Sequence, residues 1–271
     1  MRDRIKSFEI NHSNLICIFC FIAYGMLSLA FSIIISFFSS ETGFNLWQFM
    51  YMVICVGISL GLLWLFGKEN ILKSQSSSLL KGLIVGGYII IISVMYLIEN
   101  VQYGMVELYS IKSTYRIIIF MLILVATAIS EEVIFRGIIL NIWKEHFKNK
   151  FNGLYLSIFL TSLLNGFLYM LDIIAGVSVN SAIYLLFNQF SFSIIISAVY
   201  LRTNNIWSVI ILNAFYRICG SFFNGFFDSN YNLIIDLNSR GLQNISSLFY
   251  WFITNLIVTI FILRKSKRNM L

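Results

Sequence analysis

Eight long apolar stretches, each near the length of a membrane-spanning helix, follow one another along this chain of 271 residues. A helix needs about 20 apolar residues to cross the hydrocarbon core of a bilayer. Hydrophobic residues make up 59% of the chain and charged residues only 11%, and a soluble domain cannot bury that much apolar surface. The sequence therefore predicts an all-α polytopic membrane protein, a bundle of about eight transmembrane helices. The predicted spans are 15–38, 46–66, 79–98, 116–140, 153–171, 183–201, 205–223 and 247–263.

No internal repeat and no low-complexity linker interrupts the chain, so we expect one transmembrane domain over 1–271. The first apolar run, 15–38, is longer than a signal-peptide core of about 7–15 residues, and no small-residue cleavage site follows it. We therefore expect it to remain as a spanning helix. The four cysteines all lie in apolar runs, and the CxxC spacing of Cys17 and Cys20 lacks a second ligand pair. We expect packing roles for them, and neither a metal nor a cofactor.

The basic residues fall mainly on one side of the predicted bundle. The net charge is +7, but the charges map to loops and chain ends, so we expect contact with the lipid bilayer and not with nucleic acid. Because cytoplasmic loops are rich in Lys and Arg, we expect a protein of the bacterial cell membrane with both termini in the cytoplasm. Fourteen of the nineteen basic residues are then cytoplasmic: Arg2, Arg4, Lys6, Lys68, Lys73, Lys81, Lys144, Lys148, Lys150, Arg202, Arg264, Lys265, Lys267 and Arg268.

Three ionisable residues lie within the fourth predicted span: Glu131, Glu132 and Arg136. A charged side chain at the centre of a membrane helix costs about 2.5–3.5 kcal/mol on insertion scales, and such residues usually face the interior of the bundle. Glu132 and Arg136 are four residues apart and share a helix face, so they can pair. Glu131 lies about 100° round the helix and can point elsewhere. The spacing fits two interpretations equally well. One is a structural ion pair, and the other is a single reactive carboxylate beside a paired one.

The sequence SEEVIFRGIIL at 130–140, which contains these residues, resembles the EExxxR motif of the CPBP family. This family, also called Abi, comprises CAAX-type and bacteriocin-processing intramembrane proteases. Three other segments are similar to regions of the family: SLLKGLIVGGYII at 78–90, LTSLLNGFLYM at 160–170 and YLRTNNIWSVIILNAFYRI at 200–218. The resemblance covers residues 78–220 and implies a membrane-embedded peptidase core there.

The resemblance implies that the first glutamate of EExxxR and the histidines of two later motifs activate a water that cleaves a peptide bond. Glu131 is then the candidate base, with Glu132 and Arg136 as its support. The two histidines of this chain stand elsewhere: His12 is in the N-terminal tail, and His146 is about 15 Å of helix beyond Arg136. The chain thus has the carboxylates of the family site and lacks its imidazoles.

Four other residues stand where the family has its histidine motifs. Asn165 and Tyr169 replace FxxxH, and Asn213 and Arg217 replace HxxxN. Tyr169 and Asn213 can donate hydrogen bonds, but neither readily takes up a proton or binds a metal as imidazole does. Apart from residues at the span ends, Arg217 brings the charges inside the spans to two of each sign, and we predict that it pairs with Glu131. Such a pair would occupy the place of the reactive water.

The favoured prediction is a CPBP-type membrane protein, a pseudoprotease whose scaffold has lost peptidase activity. It would hold a membrane protein or a peptide in the former substrate groove, for regulation or for immunity to a bacteriocin or other peptide toxin. One alternative is an active intramembrane endopeptidase that uses Glu131 to process a peptide leader or a lipidated C-terminus. Another is a transporter that uses the buried charges as a proton relay; the missing repeat and the absence of Gly- or Pro-broken helix pairs disfavour it. The sequence leaves open whether the protein is an enzyme.

Overall fold

A computed structural model of the chain describes residues 12–38, 46–73, 76–106, 110–174, 176–228 and 245–267. The α-helices in these ranges are α1 (Ser13–Phe38), α2 (Leu46–Leu65), α3 (Ser76–Val85), α4 (Gly87–Val106), α5 (Thr114–Glu132), α6 (Leu140–His146), α7 (Gly153–Phe167), α8 (Val179–Thr203), α9 (Ile206–Gly220), α10 (Phe222–Phe226) and α11 (Ile245–Lys267). A π-helix, Val133–Ile139, joins α5 to α6, and 3-10 turns at Glu69–Leu72 and Leu168–Ile173 follow α2 and α7. Two short strands, β1 (Ser110–Ile111) and β2 (Phe227–Asp228), form an antiparallel pair.

Several of these helices are long and apolar enough to cross a membrane. Five segments of the described ranges meet that test alone, and a sixth does so when the bent pair of α3 and α4 is taken as one span. Large apolar side chains point outward from α1, α2, α4 and α11, which suits a lipid environment. The predicted class, an all-α polytopic membrane protein, is confirmed. The last two predicted spans, 205–223 and 247–263, correspond to the shorter apolar helices Ile206–Gly220 and Leu248–Arg264.

The third predicted span, 79–98, is broken at Gly86, where α3 and α4 meet at 60°. Near this break α3 approaches α9 closely: a Cβ added at Gly82 would lie 2.3 Å from the Cβ of Ser208, and one at Gly86 would lie 2.3 Å from Leu212. Glycine permits such an approach because it carries no side chain. The apolar pattern runs on through the bend, so the sequence predicts one span where the structure has two helices. One span is thus broken at a glycine, whereas the transporter pattern requires a pair of such spans.

The end of α5 and the π-helix that continues it form the centre of the bundle. All eleven residues from 130 to 140 are buried, on every side of the helix, which places this segment among its neighbours and away from lipid. Tyr24 of α1 belongs to the same apolar cluster as Phe135 of the π-helix. Asn141 on α6 donates to the carbonyl oxygens of Arg136 (2.8 Å) and Gly137 (3.1 Å). These bonds give partners to backbone groups at the irregular end of the helix.

α8 and α9 bring the later motif positions to this central helix. Ser178 and Asn205 cap the two helices, because their side-chain oxygens accept from the backbone N of Ser181 (3.3 Å) and Ser208 (3.1 Å). The chain reverses between α8 and α9 at Asn204, whose φ of +50° is a left-handed conformation that asparagine tolerates. α9 then packs against both α4 and α5. Its inner face therefore meets the glutamate end of α5.

Candidate functional site

Arg136 is a fully buried arginine in the π-helix, with none of its surface exposed. Its Nη1 donates to Oε1 of Glu132 at 3.2 Å. Its Nη2 donates to Ser193 twice, to Oγ at 2.7 Å and to the carbonyl oxygen at 3.2 Å. The predicted pairing of Glu132 with Arg136 is thus present. These bonds offset the cost of a buried guanidinium, which is several kcal/mol for an ion without partners.

Glu131 lies next to Glu132 in the chain but pairs with a different helix. Arg217 on α9 donates from Nη2 to Oε2 of Glu131 at 2.5 Å. The side chain of Glu131 is 6% exposed and that of Arg217 is 18% exposed. The predicted pairing of Arg217 with Glu131 is therefore present, and Arg217 is the partner nearer to the edge of the site.

Asn213 connects the two ion pairs. Its Nδ2 donates to Oε1 of Glu132 at 2.7 Å and to Oε2 of Glu131 at 3.3 Å. Its Oδ1 accepts from Nε of Arg217 at 3.0 Å. A carboxamide makes both kinds of bond because it carries a donor and an acceptor. Asn213 therefore holds two like-charged carboxylates side by side, against the repulsion between them.

Tyr169 and Asn165 join the network through different partners. The Tyr169 hydroxyl accepts from Nη2 of Arg217 at 3.4 Å, a long contact at the edge of the site. Nδ2 of Asn165 donates to Oγ of Ser193 at 3.3 Å, beside the buried motif arginine. All seven site residues predicted from the sequence therefore belong, together with Ser193, to one connected set. We call this set the ion-pair network: Glu131, Glu132, Arg136, Asn165, Tyr169, Ser193, Asn213 and Arg217. The catalytic roles of the seven predicted residues stay a prediction.

Ser193 on α8 is a member of the network that the sequence analysis missed. It is fully buried and accepts from both Arg136 and Asn165. In the sequence it is one of several serines in the same helix, with Ser191 and Ser197 on either side, and no motif distinguishes it. The one signal available was general, because small polar residues in buried membrane helices often make interhelical hydrogen bonds.

Both histidines of the chain lie outside the ion-pair network. His146 ends α6, where its Nδ1 and the Oγ of Ser13 share a hydrogen bond of 2.7 Å. His12 directly precedes that serine. Over the described ranges, no three residues of the types His, Cys, Asp and Glu come together as a group that could hold a metal ion. The network thus contains no imidazole, the side chain that most readily exchanges a proton near neutral pH.

The ion-pair network places two carboxylates and two guanidinium groups inside an apolar bundle. Each carboxylate has a guanidinium at hydrogen-bond distance, which offsets the desolvation of both ions. Oε2 of Glu131 already accepts from two donors, so a water molecule at this oxygen would compete with Asn213 and Arg217. Among the described residues, three buried network atoms have no hydrogen-bond partner: Oε2 of Glu132, Nε of Arg136 and Oδ1 of Asn165.

Comparison with known proteins relates this site to a family of membrane proteases. Residues 113–219 match the family model described as Type II CAAX prenyl endopeptidase Rce1-like. The match runs from the start of α5 to the end of α9 and contains every residue of the ion-pair network. The resemblance to the CPBP family is therefore confirmed over this segment, whereas a family-like core that begins at residue 78 stays a prediction. No curated protein and no solved structure matched the chain.

Proposed function

We propose that this multi-pass membrane protein, whose residues 113–219 form an Rce1-like segment of the CPBP family, is a protease scaffold without peptidase activity. It would bind a membrane protein or a peptide in the former substrate groove. The observation that carries the proposal is the hydrogen bond from Arg217 to Glu131, the residue that the family resemblance makes the catalytic base.

The geometry around Glu131 supports loss of the reaction. A general base accepts a proton from a water molecule held within hydrogen-bond distance. Oε2 of Glu131 instead accepts from Arg217 and Asn213, so a water at this oxygen would have to displace a charged partner. Tyr169 and Asn213, at the family's histidine positions, can donate hydrogen bonds but do not readily take up a proton.

Binding without cleavage suits the biological roles that the resemblance suggests. A regulator holds another membrane protein without changing its covalent structure, and an immunity protein captures a bacteriocin or another peptide toxin. Arg217 and Tyr169 are both partly exposed, so they are the network residues placed to meet such a partner. We further propose that the protein lies in the cell membrane of a bacterium with both termini in the cytoplasm.

An active intramembrane endopeptidase is the second candidate, and two observations favour it. The EExxxR motif is intact, and the Arg217 side chain is 18% exposed. A substrate that drew Arg217 aside would leave Glu131 beside Asn213, and Asn213 could still donate a hydrogen bond to a developing oxyanion.

The two candidates are separated by a peptide assay on the full chain in lipid nanodiscs. The probe is a fluorescent farnesylated peptide that ends in Cys-aliphatic-aliphatic-Ser. We expect it to raise the fluorescence anisotropy on binding, and mass spectrometry to recover it intact from both the wild type and Glu131→Gln. Glu145→Gln is the control, because Glu145 is 62% exposed and lies outside the ion-pair network.

Release of a C-terminal tripeptide by the wild type and by Glu145→Gln, but not by Glu131→Gln, would establish the endopeptidase and overturn the proposal. An intact peptide that also fails to bind would exclude prenylated peptides as the bound partner.

A further inference from the structure

A seam of fully buried polar side chains runs from the ion-pair network along the contact between α7 and α8. α7 contributes Thr161, Ser162 and Asn165, and α8 contributes Ser193 and Ser197; all five residues are fully buried. We call these five residues the polar seam. Asn165 and Ser193 connect it to the network, because both belong to the hydrogen-bond chain that ends on Arg136.

The seam extends in one direction from this junction. Thr161 and Ser162 precede Asn165 by four and three residues, and Ser197 follows Ser193 by four, so each lies about one helical turn from it on the same side of its helix. Consecutive spans cross a membrane in opposite directions. Both steps therefore lead the same way, toward the end of the bundle where α6 ends and α7 begins.

The seam reaches a partly exposed residue at that end. Tyr200 lies three residues beyond Ser197 on α8 and is 1% exposed. Its hydroxyl accepts from Nδ2 of Asn141 at 2.8 Å, and Asn141 is only half-buried. The path from Ser193 to Tyr200 spans about 10 Å of helix. Polar groups thus continue from the buried carboxylates to the margin of the bundle.

Three hydroxyls of the seam are unusual because they do not donate to a backbone carbonyl oxygen of their own helix. Ser157, one turn before Thr161, shows the ordinary alternative, since its Oγ donates to the carbonyl oxygen of Gly153 at 2.8 Å. By contrast, Oγ1 of Thr161 and the Oγ atoms of Ser162 and Ser197 have no hydrogen-bond partner among the described residues.

Other orphan atoms lie at the network end of the seam, namely Oδ1 of Asn165, Oε2 of Glu132 and Nε of Arg136. A buried polar group without a hydrogen bond is costly inside a protein, and the surrounding lipid offers no hydrogen-bond partner. A buried water molecule typically binds about three such groups at once. Four orphan atoms in the seam and two at its network end therefore need the same small polar ligand.

We propose that the polar seam is a hydration path, a binding site for a short chain of water molecules between the Asn141–Tyr200 pair and the Glu132–Arg136 pair. The path gives the buried carboxylate a route for exchange of water and protons with the aqueous phase at that end of the bundle. It does not depend on the proposed function, because a binding scaffold and an endopeptidase would both use it.

Radiolytic hydroxyl labelling in oxygen-18 water tests the path, because a radical formed from a bound water attacks the side chain beside it. The reporter is Ser162→Cys, in the full chain in nanodiscs, and the native thiol of Cys20 on α1 is an internal reference with 0% exposure. Ser93→Cys is the matched control, since Ser93 is also fully buried but donates to the carbonyl oxygen of Ile89 at 2.7 Å.

We expect the thiol introduced by Ser162→Cys to gain oxygen-18 several-fold faster than Cys20, and the thiol introduced by Ser93→Cys to match Cys20. Adding Thr161→Val and Ser197→Ala to Ser162→Cys should abolish the excess. Ser197→Cys serves as the reporter if Ser162→Cys does not fold, as judged by its thermal melting curve. Equal labelling of the seam thiol and Cys20 would overturn the proposal, as would an excess that survives Thr161→Val with Ser197→Ala.

Discussion

Removing Arg217 should destabilise the protein more than removing the charge of Glu131. Arg217→Leu leaves the Glu131 carboxylate, only 6% exposed, with one long bond from Asn213. Removing one partner of a buried ion pair costs about 3–5 kcal/mol, and we expect Arg217→Leu to lower the free energy of unfolding by an amount in that range. Glu131→Gln leaves Arg217, which is 18% exposed, bonded to Asn213 and able to donate to the new amide oxygen. We therefore expect a loss of about 1–2 kcal/mol for Glu131→Gln.

The double variant, Glu131→Gln with Arg217→Leu, should lose less stability than the sum of the two single changes. In the double variant neither substitution leaves an opposite charge alone in the bundle. Residues in contact show interaction energies of about 0.5–3 kcal/mol, and we expect the upper half of that range for this pair. We expect this large interaction energy because Nη2 of Arg217 lies 2.5 Å from Oε2 of Glu131 and both side chains are largely buried.

The assay is reversible unfolding in mixed detergent and SDS micelles, followed by tryptophan fluorescence. Glu145→Gln is the control: its carboxylate is 62% exposed and lies 3.5 Å from Lys68, and surface pairs contribute about 0–1 kcal/mol. If the losses of the two single variants simply add, or if Arg217→Leu is as stable as the wild type, then Arg217 does not neutralise Glu131.

Ser193→Ala should lower the free energy of unfolding by about 1–3 kcal/mol, because it removes an acceptor from a buried guanidinium; Ser93→Ala, a buried serine away from the network, is the comparison in the same unfolding assay. Gly82→Ala should shift the SDS midpoint strongly downward, since its Cβ would lie 2.3 Å from a serine of α9. Gly57→Ala, where nothing lies within 4 Å, should be neutral or gain up to about 1 kcal/mol; equal effects of the two glycine changes would contradict the close packing of α3 on α9. A reporter that is active only outside the cytoplasm, fused after Leu271, should stay silent, and activity there would contradict the even number of spans.

The resemblance to a protease family points to positions that the structure brings into one hydrogen-bonded network. Asn165, Tyr169, Asn213 and Arg217 were identified by their place in FxxxH and HxxxN patterns, although none of them is the expected histidine. Such alignment works because a motif position keeps its place on a helix when its residue type changes. It does not state which atoms will meet, and Asn165 in fact contacts Ser193.

Features that depend on local spacing and on the thickness of a bilayer follow from the order of residues alone. Apolar runs predicted the helices, because a bilayer accepts only segments of a certain length with their backbone groups paired. The pairing of Glu132 with Arg136 also followed from a separation of four residues. Charge balance inside the spans was enough to predict a partner for Glu131.

Contacts between distant parts of the chain depend on how the helices pack. Asn213 bridges both glutamates across more than eighty residues of chain, and no periodic pattern encodes that contact. The bend at Gly86 lies where α3 approaches α9 closely, and the role of Ser193 depends on a neighbouring helix. These features depend on packing between helices, where small residues and hydrogen bonds replace the hydrophobic effect as the attractive force. Residue order alone does not reveal which helices will be neighbours.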